Sequence, residues 1–489
     1  MKRRNIAVIG AGYAGQEIAG EILKKEFPGN LLAIIDDDRT KIGTDYKGVP
    51  VLGPLERIPE IMERYRCDEV IIAIPSAESS LIRQIYEKLR LSGVSEIRIV
   101  PAVSQVLDGT AHLIQAREIA VQDLLGRNPV SIPLKESLKY LRGKRVLITG
   151  AGGSIGSELC RQLLDGGADR LYLFDHGENN VYEIDRELHL LQEEGIGEKA
   201  TIVPIVGELK DRDYINFLMQ RLKADIVFHC AAYKHVPMME NNPVEAIKNN
   251  VFGTEYLLEA AENSTVNRFI LISTDKAVSP SSTYGVSKQI CEQLVLFNNS
   301  EKLDCMVVRF GNVLESRGSI VPLFKNQILK GGPVTITDPE ANRFFMTIPE
   351  ASSLVLQTAG VGKGGEIYIL DMGEPVNIKN LAEQMIRFYG YKPEKEIQLK
   401  YIGLRKGEKV SENLWESDEK AVPTDYRRIL RLERNPEDMK KIKHLLRNLY
   451  PVCYLDKSLP DLYRNRLHLR KILSEYAPSL EIPPDEPEY

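Results

Sequence analysis

The stretch Arg145-Val146-Leu147-Ile148-Thr149-Gly150-Ala151-Gly152-Gly153-Ser154-Ile155-Gly156 decides the fold of this chain. A short apolar run ends in glycines three apart, and apolar residues at helical spacing resume over 157–164. That order predicts a strand, a tight glycine turn and a helix. Such a turn binds pyrophosphate, because glycines let the backbone approach closely and the helix N-terminus presents unpaired N–H groups with a partial positive charge. The next apolar run, 171–174, ends in Asp175, where a dinucleotide fold places an acid on a ribose. Further strands are predicted over 202–206, 226–230, 268–273 and 306–310, alternating with helical stretches.

The same pattern stands upstream. Asn5–Ile9 leads into Gly10-Ala11-Gly12-Tyr13-Ala14-Gly15, helical spacing follows over 18–23, and the run 31–35 ends in Asp36. Runs 70–74 and 97–100 precede Pro75 and Pro101. The fold class is therefore α/β, with two tandem Rossmann-like, doubly wound parallel-sheet domains. The first spans 1–103. A connector over 104–141, with Pro129 and Pro133, joins it to a larger unit over 142–415. Beyond Trp415, 416–489 reads as a charged helical extension whose clearest helix is 440–449 and whose Pro- and acid-rich end, 482–489, is expected to be disordered. Gly10, Gly12, Gly15 and Asp36 are candidates for a nucleotide site; a vestigial or regulatory domain with an empty site is the other reading. Asp36 and Asp175 both favour NAD over NADP, since a carboxylate accepts a ribose hydroxyl but repels a 2'-phosphate.

Composition narrows the function classes. With 489 residues, 43% hydrophobic, 27% charged and a formal net charge of -5, no positive field draws nucleic acid as the main partner. No run reaches the length that crosses a bilayer and no apolar signal region opens the chain, so a soluble cytoplasmic protein is expected. Six scattered cysteines, without a CxxC pair or a His cluster at ligand spacing, predict reduced buried thiols and no metal.

After the strand 268–273 come Thr274-Asp275-Lys276, and then Tyr284-Gly285-Val286-Ser287-Lys288. A Tyr and a Lys at i and i+4 share a helix face, so the Lys288 ammonium is expected to lower the phenol pKa and let Tyr284 act as a base toward a sugar hydroxyl. An epimerase, which only oxidises and reduces carbon 4 of a sugar, needs a hydroxyl near that Tyr and no further acid or base. Removing water across carbons 5 and 6 needs one group to take the carbon 5 proton and one to protonate the leaving 6-hydroxyl. Lys276 and Asp275 supply such a pair.

Together these residues resemble the extended short-chain dehydrogenase/reductase superfamily, and within it the bacterial polysaccharide-biosynthesis 4,6-dehydratases that act on UDP-N-acetylglucosamine. The resemblance spans nearly all of 1–415. It rests on Gly150 to Gly156 with Ser157-Glu158-Leu159; Ala231-Ala232-Tyr233-Lys234-His235-Val236-Pro237 with Glu240; Asn249-Asn250 and Gly253-Thr254; and Ser273-Thr274-Asp275-Lys276-Ala277. It continues through Arg309-Phe310-Gly311-Asn312-Val313, Ser316-Arg317-Gly318-Ser319, Phe344-Phe345-Met346-Thr347-Ile348, Leu370-Asp371-Met372-Gly373 and Gly407-Glu408-Lys409. It implies an extended short-chain dehydrogenase fold with a small C-terminal substrate-binding part, an NAD cofactor and a UDP-sugar substrate. The implied cofactor residues are Gly150, Gly153, Ser154, Ile155, Gly156, Asp175, Glu178, Glu208, Ala231, Ala232, Tyr233, Asn250, Tyr284 and Lys288. Lys234, His235, Asn312, Ser319, Arg343, Arg405 and Glu408 are implied on the substrate side, the arginines presenting a planar fork of donors. Thr274, Asp275, Lys276, Tyr284 and Lys288 are the implied catalytic set.

Larger members carry an extra Rossmann-like domain before the catalytic one, as here, and many carry membrane helices ahead of that, which this sequence does not contain. Three departures stand out: Tyr284 where many two-domain relatives have Met, Glu208 for a usual Asp, and Glu315 and Lys406 for a usual Gly and Pro. A homo-oligomer is implied because helices flanking such a Tyr–Lys segment commonly pair in the superfamily. The rival readings are a UDP-hexose 4-epimerase and a nucleotide-sensing scaffold protein.

Overall fold

Both glycine turns close the C-terminal end of the first strand of a sheet, and there are two separate sheets to hold them. The computed structural model describes residues 4–24, 29–100, 117–118, 138–434 and 438–487. The chain divides into two compact units: Met1–Pro133 with Phe324–Val334 and Asn380–Lys400, and Leu134–Leu323 with Thr335–Lys379 and Tyr401–Tyr489. The connector expected over 104–141 falls mostly outside the described residues.

The first unit is built on strands β1 (Asn5–Ile9), β2 (Asn30–Ile35), β3 (Asp45–Tyr46), β4 (Val49–Leu52), β5 (Glu69–Ile72), β6 (Glu96–Ile99) and β7 (Arg117–Glu118). Their order is β3-β4-β2-β1-β5-β6-β7, with the central pairs parallel and the two outermost pairs antiparallel. Ile6, Ala7, Val8 and Ile9 are all fully buried, so β1 is covered on both faces. That is why its sequence is a continuous apolar run rather than an alternating one. Ile18 and Ile22 of the helix Tyr13–Lys24 pack on Ile6, Val8 and Ile71. The segment 380–400, expected in the catalytic domain, joins this unit instead: the Phe388 ring stacks on Tyr86 with centroids 4.8 Å apart, and Tyr86 Oη donates to Phe388 O at 2.9 Å.

In the second unit, β8 (Arg145–Thr149), β9 (Arg170–Asp175), β10 (Thr201–Val206), β11 (Ile226–His229), β12 (Arg268–Thr274) and β13 (Asp304–Phe310) run in the order β10-β9-β8-β11-β12-β13. All these neighbours are parallel, and Ile367–Leu370 adds a further parallel strand beside β13. Strand order reverses between β8 and β11. A crevice opens there at the strands' carboxyl ends, the usual ligand position in a doubly wound sheet. Ile429–Glu433 and then Lys420–Pro423 close the sheet in antiparallel fashion. These two strands correct the expectation of a helical segment directly after Trp415: Ile429, Leu430 and Leu432 extend a sheet that already offers an unpaired edge.

The extension does become helical at Met439–Cys453 and Arg466–Tyr476. Its end is not loose at Glu486, where disorder was expected. That side chain is buried against Arg466 and Arg470, which supply the donors its charge needs. All six cysteines are free. No described helix is long and apolar enough to cross a membrane.

Candidate active site

The glycine turn after β8 is shaped by contacts that exclude any side chain. Gly150 adopts φ +68°, and a Cβ there would meet the Ala231 backbone at 2.8 Å. A Cβ on Gly156 would lie 2.0 Å from Gly150 O, so the helix can start against the strand end only with glycine at that position. The helix Ser154–Asp165 has no acidic residue in its first turn, leaving its N-terminal field open to an anion. Asp175 accepts Gly152 N–H at 3.2 Å and Gly177 N–H at 2.9 Å, which ties the acid to the turn.

A cleft of about 750 Å³ opens over this turn. Gly150, Gly153, Ser154, Ile155, Gly156, Ala232 and Tyr233 line it, as do Thr274, Lys276, Tyr284 and Lys288. Every expected substrate residue also lines it: Lys234, His235, Asn312, Ser319, Arg343, Arg405 and Glu408. Asp175, Glu178, Glu208, Ala231, Asn250 and Asp275 do not. Glu178 is exposed in the first turn of its own helix, and Glu208 faces Lys210 at 3.4 Å. Asn250 is buried, its Oδ1 accepting Tyr233 N–H at 2.9 Å and its Nδ2 donating to Ser287 Oγ at 2.9 Å. It therefore clamps the Tyr233 loop to the helix that carries Tyr284.

The catalytic candidates meet at the end of β12. The helix Thr283–Phe297 is capped by Ser282 Oγ, which accepts Gly285 N–H at 3.1 Å and places Tyr284 in the first turn. Asp275 is fully buried; its Oδ1 accepts from Thr274 Oγ1 at 2.8 Å and from Lys276 Nζ at 3.0 Å, while its Oδ2 has no partner. Lys276 Nζ also donates to Asn312 Oδ1 at 3.0 Å and lies 3.9 Å from Glu412. Tyr284 is not lowered by Lys288 as expected. Burial pushes the phenol above its ordinary value, Asp275 adds to the rise, and a hydrogen bond with Thr274 opposes it. Burial likewise holds the Lys288 ammonium below its usual pKa. Enclosure by the cleft walls and the charge of Lys276 lower the Lys234 ammonium too.

On the substrate side, Arg343 donates to the carbonyls of Val410 and Lys409 at 2.7 and 2.6 Å, fixing the strand of chain that carries Glu412. Arg405 Nε donates to Glu408 Oε1 at 2.9 Å, so each neutralises the other. Ser319 Oγ is buried without a partner at the cleft edge.

Sequence reasoning missed two features. Glu412 stands on the cleft wall, 4% exposed at its side chain, and burial raises its pKa before Lys276 partly offsets it. Its signal was its place just past Gly407-Glu408-Lys409, three positions after Lys409, with which it pairs at 3.7 Å. Glu292, on the Tyr284 helix, accepts from Ser273 Oγ at 2.6 Å and from buried Arg309 at 2.8 Å, locking β12 and β13 where the catalytic loop begins. In the first unit, Gly10, Gly12, Gly15 and Asp36 form a comparable turn, with Ala11 N–H donating to Asp36 Oδ2 at 2.6 Å and open space over Gly12.

Residues 146–434 match the polysaccharide biosynthesis protein family. The chain belongs to that family. Residues 1–101 match a second family, described as a CoA-binding domain. The chain is 41% identical over 435 residues to the capsular polysaccharide biosynthesis protein CapD of Staphylococcus aureus, covering 88% of this chain and 72% of that protein. It is 42% identical over 414 residues to the probable polysaccharide biosynthesis protein EpsC of Bacillus subtilis, covering 84% and 68%. It is also 33% identical over 321 residues to a UDP-glucose 4-epimerase of Rickettsia rickettsii, covering 64% of this chain and 89% of that one. Among solved structures, Pen from Bacillus thuringiensis aligns with a TM-score of 0.53 at 30% identity, over 63% of this chain and 98% of that one. The family member described here is an enzyme of the nucleotide-sugar dehydratase and epimerase type, on an extended short-chain dehydrogenase/reductase fold.

Proposed function

We propose that the second unit is an NAD-dependent 4,6-dehydratase of UDP-N-acetylglucosamine. One observation carries this reading: in the cleft that Tyr284 also lines, Lys276 is held between two carboxylates, Asp275 at 3.0 Å and Glu412 at 3.9 Å. A 4-epimerase has no use for such a group. The turn at Gly150, Gly153 and Gly156 suits a dinucleotide, since it keeps a side-chain-free cradle under an open helix N-terminus, and Asp175, tied to that turn, is the acid proposed for a ribose. NAD held there supplies hydride acceptance at carbon 4 and its return at carbon 6.

The chain's own residues do the rest. Tyr284, hydrogen-bonded to Thr274, takes the 4-hydroxyl proton as the phenolate, a form that the positive charge of a bound nicotinamide would favour against the rise from burial and Asp275. The resulting ketone acidifies carbon 5, and Lys276, its ammonium proton having passed to Glu412, removes the carbon 5 proton as the neutral amine. The carboxyl pair flanking Lys276 protonates the departing 6-hydroxyl; Glu412 is the member on the cleft wall, and its raised pKa favours the protonated form. Arg405, Arg343 and Asn312, all on the cleft lining, are the residues proposed to contact the UDP group. In the first unit, we propose a nucleotide at Gly10, Gly12, Gly15 and Asp36.

Similarity to UDP-glucose 4-epimerases favours epimerisation as the second reading. Incubation of the purified protein with UDP-N-acetylglucosamine, without added reductant, separates the two by mass spectrometry and proton NMR. Loss of one water with a new methyl signal supports the dehydratase. Unchanged mass with a new 4-epimer gives the chain to the epimerase reading.

A further inference from the structure

One fully buried arginine outside the cleft ties three of its walls together. Arg470, on the helix Arg466–Tyr476, is 0% exposed. Its Nη1 donates to Thr283 Oγ1 at 2.8 Å, one residue before Tyr284. The same guanidinium pairs with Glu240 Oε2 at 2.8 Å and donates to Glu240 O at 2.9 Å. Glu240 in turn accepts Thr283 N–H at 2.7 Å, closing a ring around the start of the catalytic helix. Glu240 lies on the helix Val236–Asn241, which directly follows Lys234 and His235 of the cleft.

The third wall is reached through Glu486. It accepts from Arg470 Nε at 3.1 Å and from Arg466 Nε at 2.9 Å, and lies 3.3 Å from Lys406 Nζ. Lys406 sits between Arg405 and Gly407, both of which line the cleft. Ser281 Oγ donates to Gly407 O at 3.1 Å, and a Cβ on Gly407 would lie 2.8 Å from Ser282 Cβ, so this loop rests directly on the cap of the catalytic helix. Buried charges are expensive and stabilise little compared with apolar residues of the same volume. What a guanidinium adds is direction, because its planar fork fixes several acceptors at once.

We propose that Arg470 and Glu486 are positioning residues. They hold Thr283–Tyr284, the Lys234–His235 segment and the Arg405–Glu408 loop in one geometry, so that a segment distant in sequence sets the approach of Tyr284 to the substrate. This rests on the cleft being the catalytic site, but the test below does not depend on the substrate being right.

The test uses the full chain and the variants Glu486→Gln, Arg470→Lys and Arg470→Met, with the exposed Glu475→Gln on the same helix as control. Hydrogen exchange read by mass spectrometry follows the segments 281–288 and 404–409, and steady-state kinetics give kcat and KM separately. In folded Glu486→Gln, amides of 404–409 exchange about tenfold faster or more, and KM rises more than kcat falls. In Arg470→Met both segments loosen and kcat falls as well, while Arg470→Lys recovers part of the loss in 281–288 and the control matches the parent chain. If Arg470→Met does not fold, Glu486→Gln and Arg470→Lys carry the test. Folded Glu486→Gln and Arg470→Lys with parental exchange in both segments overturn the proposal. Absence of turnover of UDP-N-acetylglucosamine by the parent chain strikes the proposed reaction instead, and the exchange result still decides the positioning role.

Discussion

Replacing Lys276 by Met removes the proposed carbon 5 base while keeping most of the side-chain volume. The structure lets the effect be apportioned. A positioned general base contributes about 10²–10⁴-fold, which at about 1.36 kcal/mol per decade is roughly 3–5 kcal/mol of barrier. The substitution also leaves Asp275 Oδ1 with Thr274 as its remaining donor, in a site with 0% exposure. Stranding a buried carboxylate costs about 3–5 kcal/mol at most, and less here because Lys276 is itself partly exposed. Lys276→Met should therefore fold at a reduced unfolding temperature and lose at least about a hundredfold in kcat. The decisive assay runs the reaction in deuterium oxide and reads label at carbon 5 of substrate and product by NMR. The parent chain exchanges that position through Lys276. The variant leaves it unlabelled while still binding UDP. Label at carbon 5 at the parental rate, with kcat within tenfold of the parent, would refute the assignment of Lys276.

Glu412→Gln should lower turnover more than it lowers UDP affinity and should abolish the fall in rate on the alkaline side of the pH–rate profile, where a proton donor is lost; parental pH dependence would return the proton to Asp275 alone. Arg309→Met strands Glu292 beside Ser273 and should destabilise the fold by about 3–5 kcal/mol, with Glu292→Leu/Arg309→Met regaining much of it in urea unfolding. His229 is buried between Thr149 and Thr254, and burial, then the Lys288 charge, lowers its pKa to about 3. The unfolded chain binds a proton at that side chain below about pH 6.5 while the folded chain does not, so unfolding free energy rises with pH between those values. His229→Gln should flatten that slope by up to about 1.4 kcal/mol per pH unit, measured as the difference from the parent chain.

How far the sequence reached depends on whether a feature is local. β1 and β8 were legible because strands buried on both faces read as unbroken apolar runs ending in glycine. Strand ends moved by a residue or two, since the hydrogen-bonded ladders take in flanking polar residues such as Glu69, Arg170 and Asp304. The catalytic candidates were legible because Thr274, Asp275 and Lys276 are adjacent and Tyr284 and Lys288 are one helical turn apart. Glu292 with Arg309, and Lys276 with Asn312, meet only through the register of β12 and β13. Arg470 and Thr283 are 187 positions apart, and a pairing of that kind has no periodic trace in a sequence. The strands Lys420–Pro423 and Ile429–Glu433 lay in a segment whose charge masked their alternation.

The central claim is an internal transfer: hydride leaves carbon 4 and returns at carbon 6 after water has gone. UDP-N-acetylglucosamine deuterated at carbon 4 tests it most directly, with product read by NMR and mass spectrometry and no reductant added. The account predicts one deuterium in the new carbon 6 methyl group and none at carbon 4. Deuterium retained at carbon 4 of an isomer of unchanged mass would contradict it and establish the epimerase.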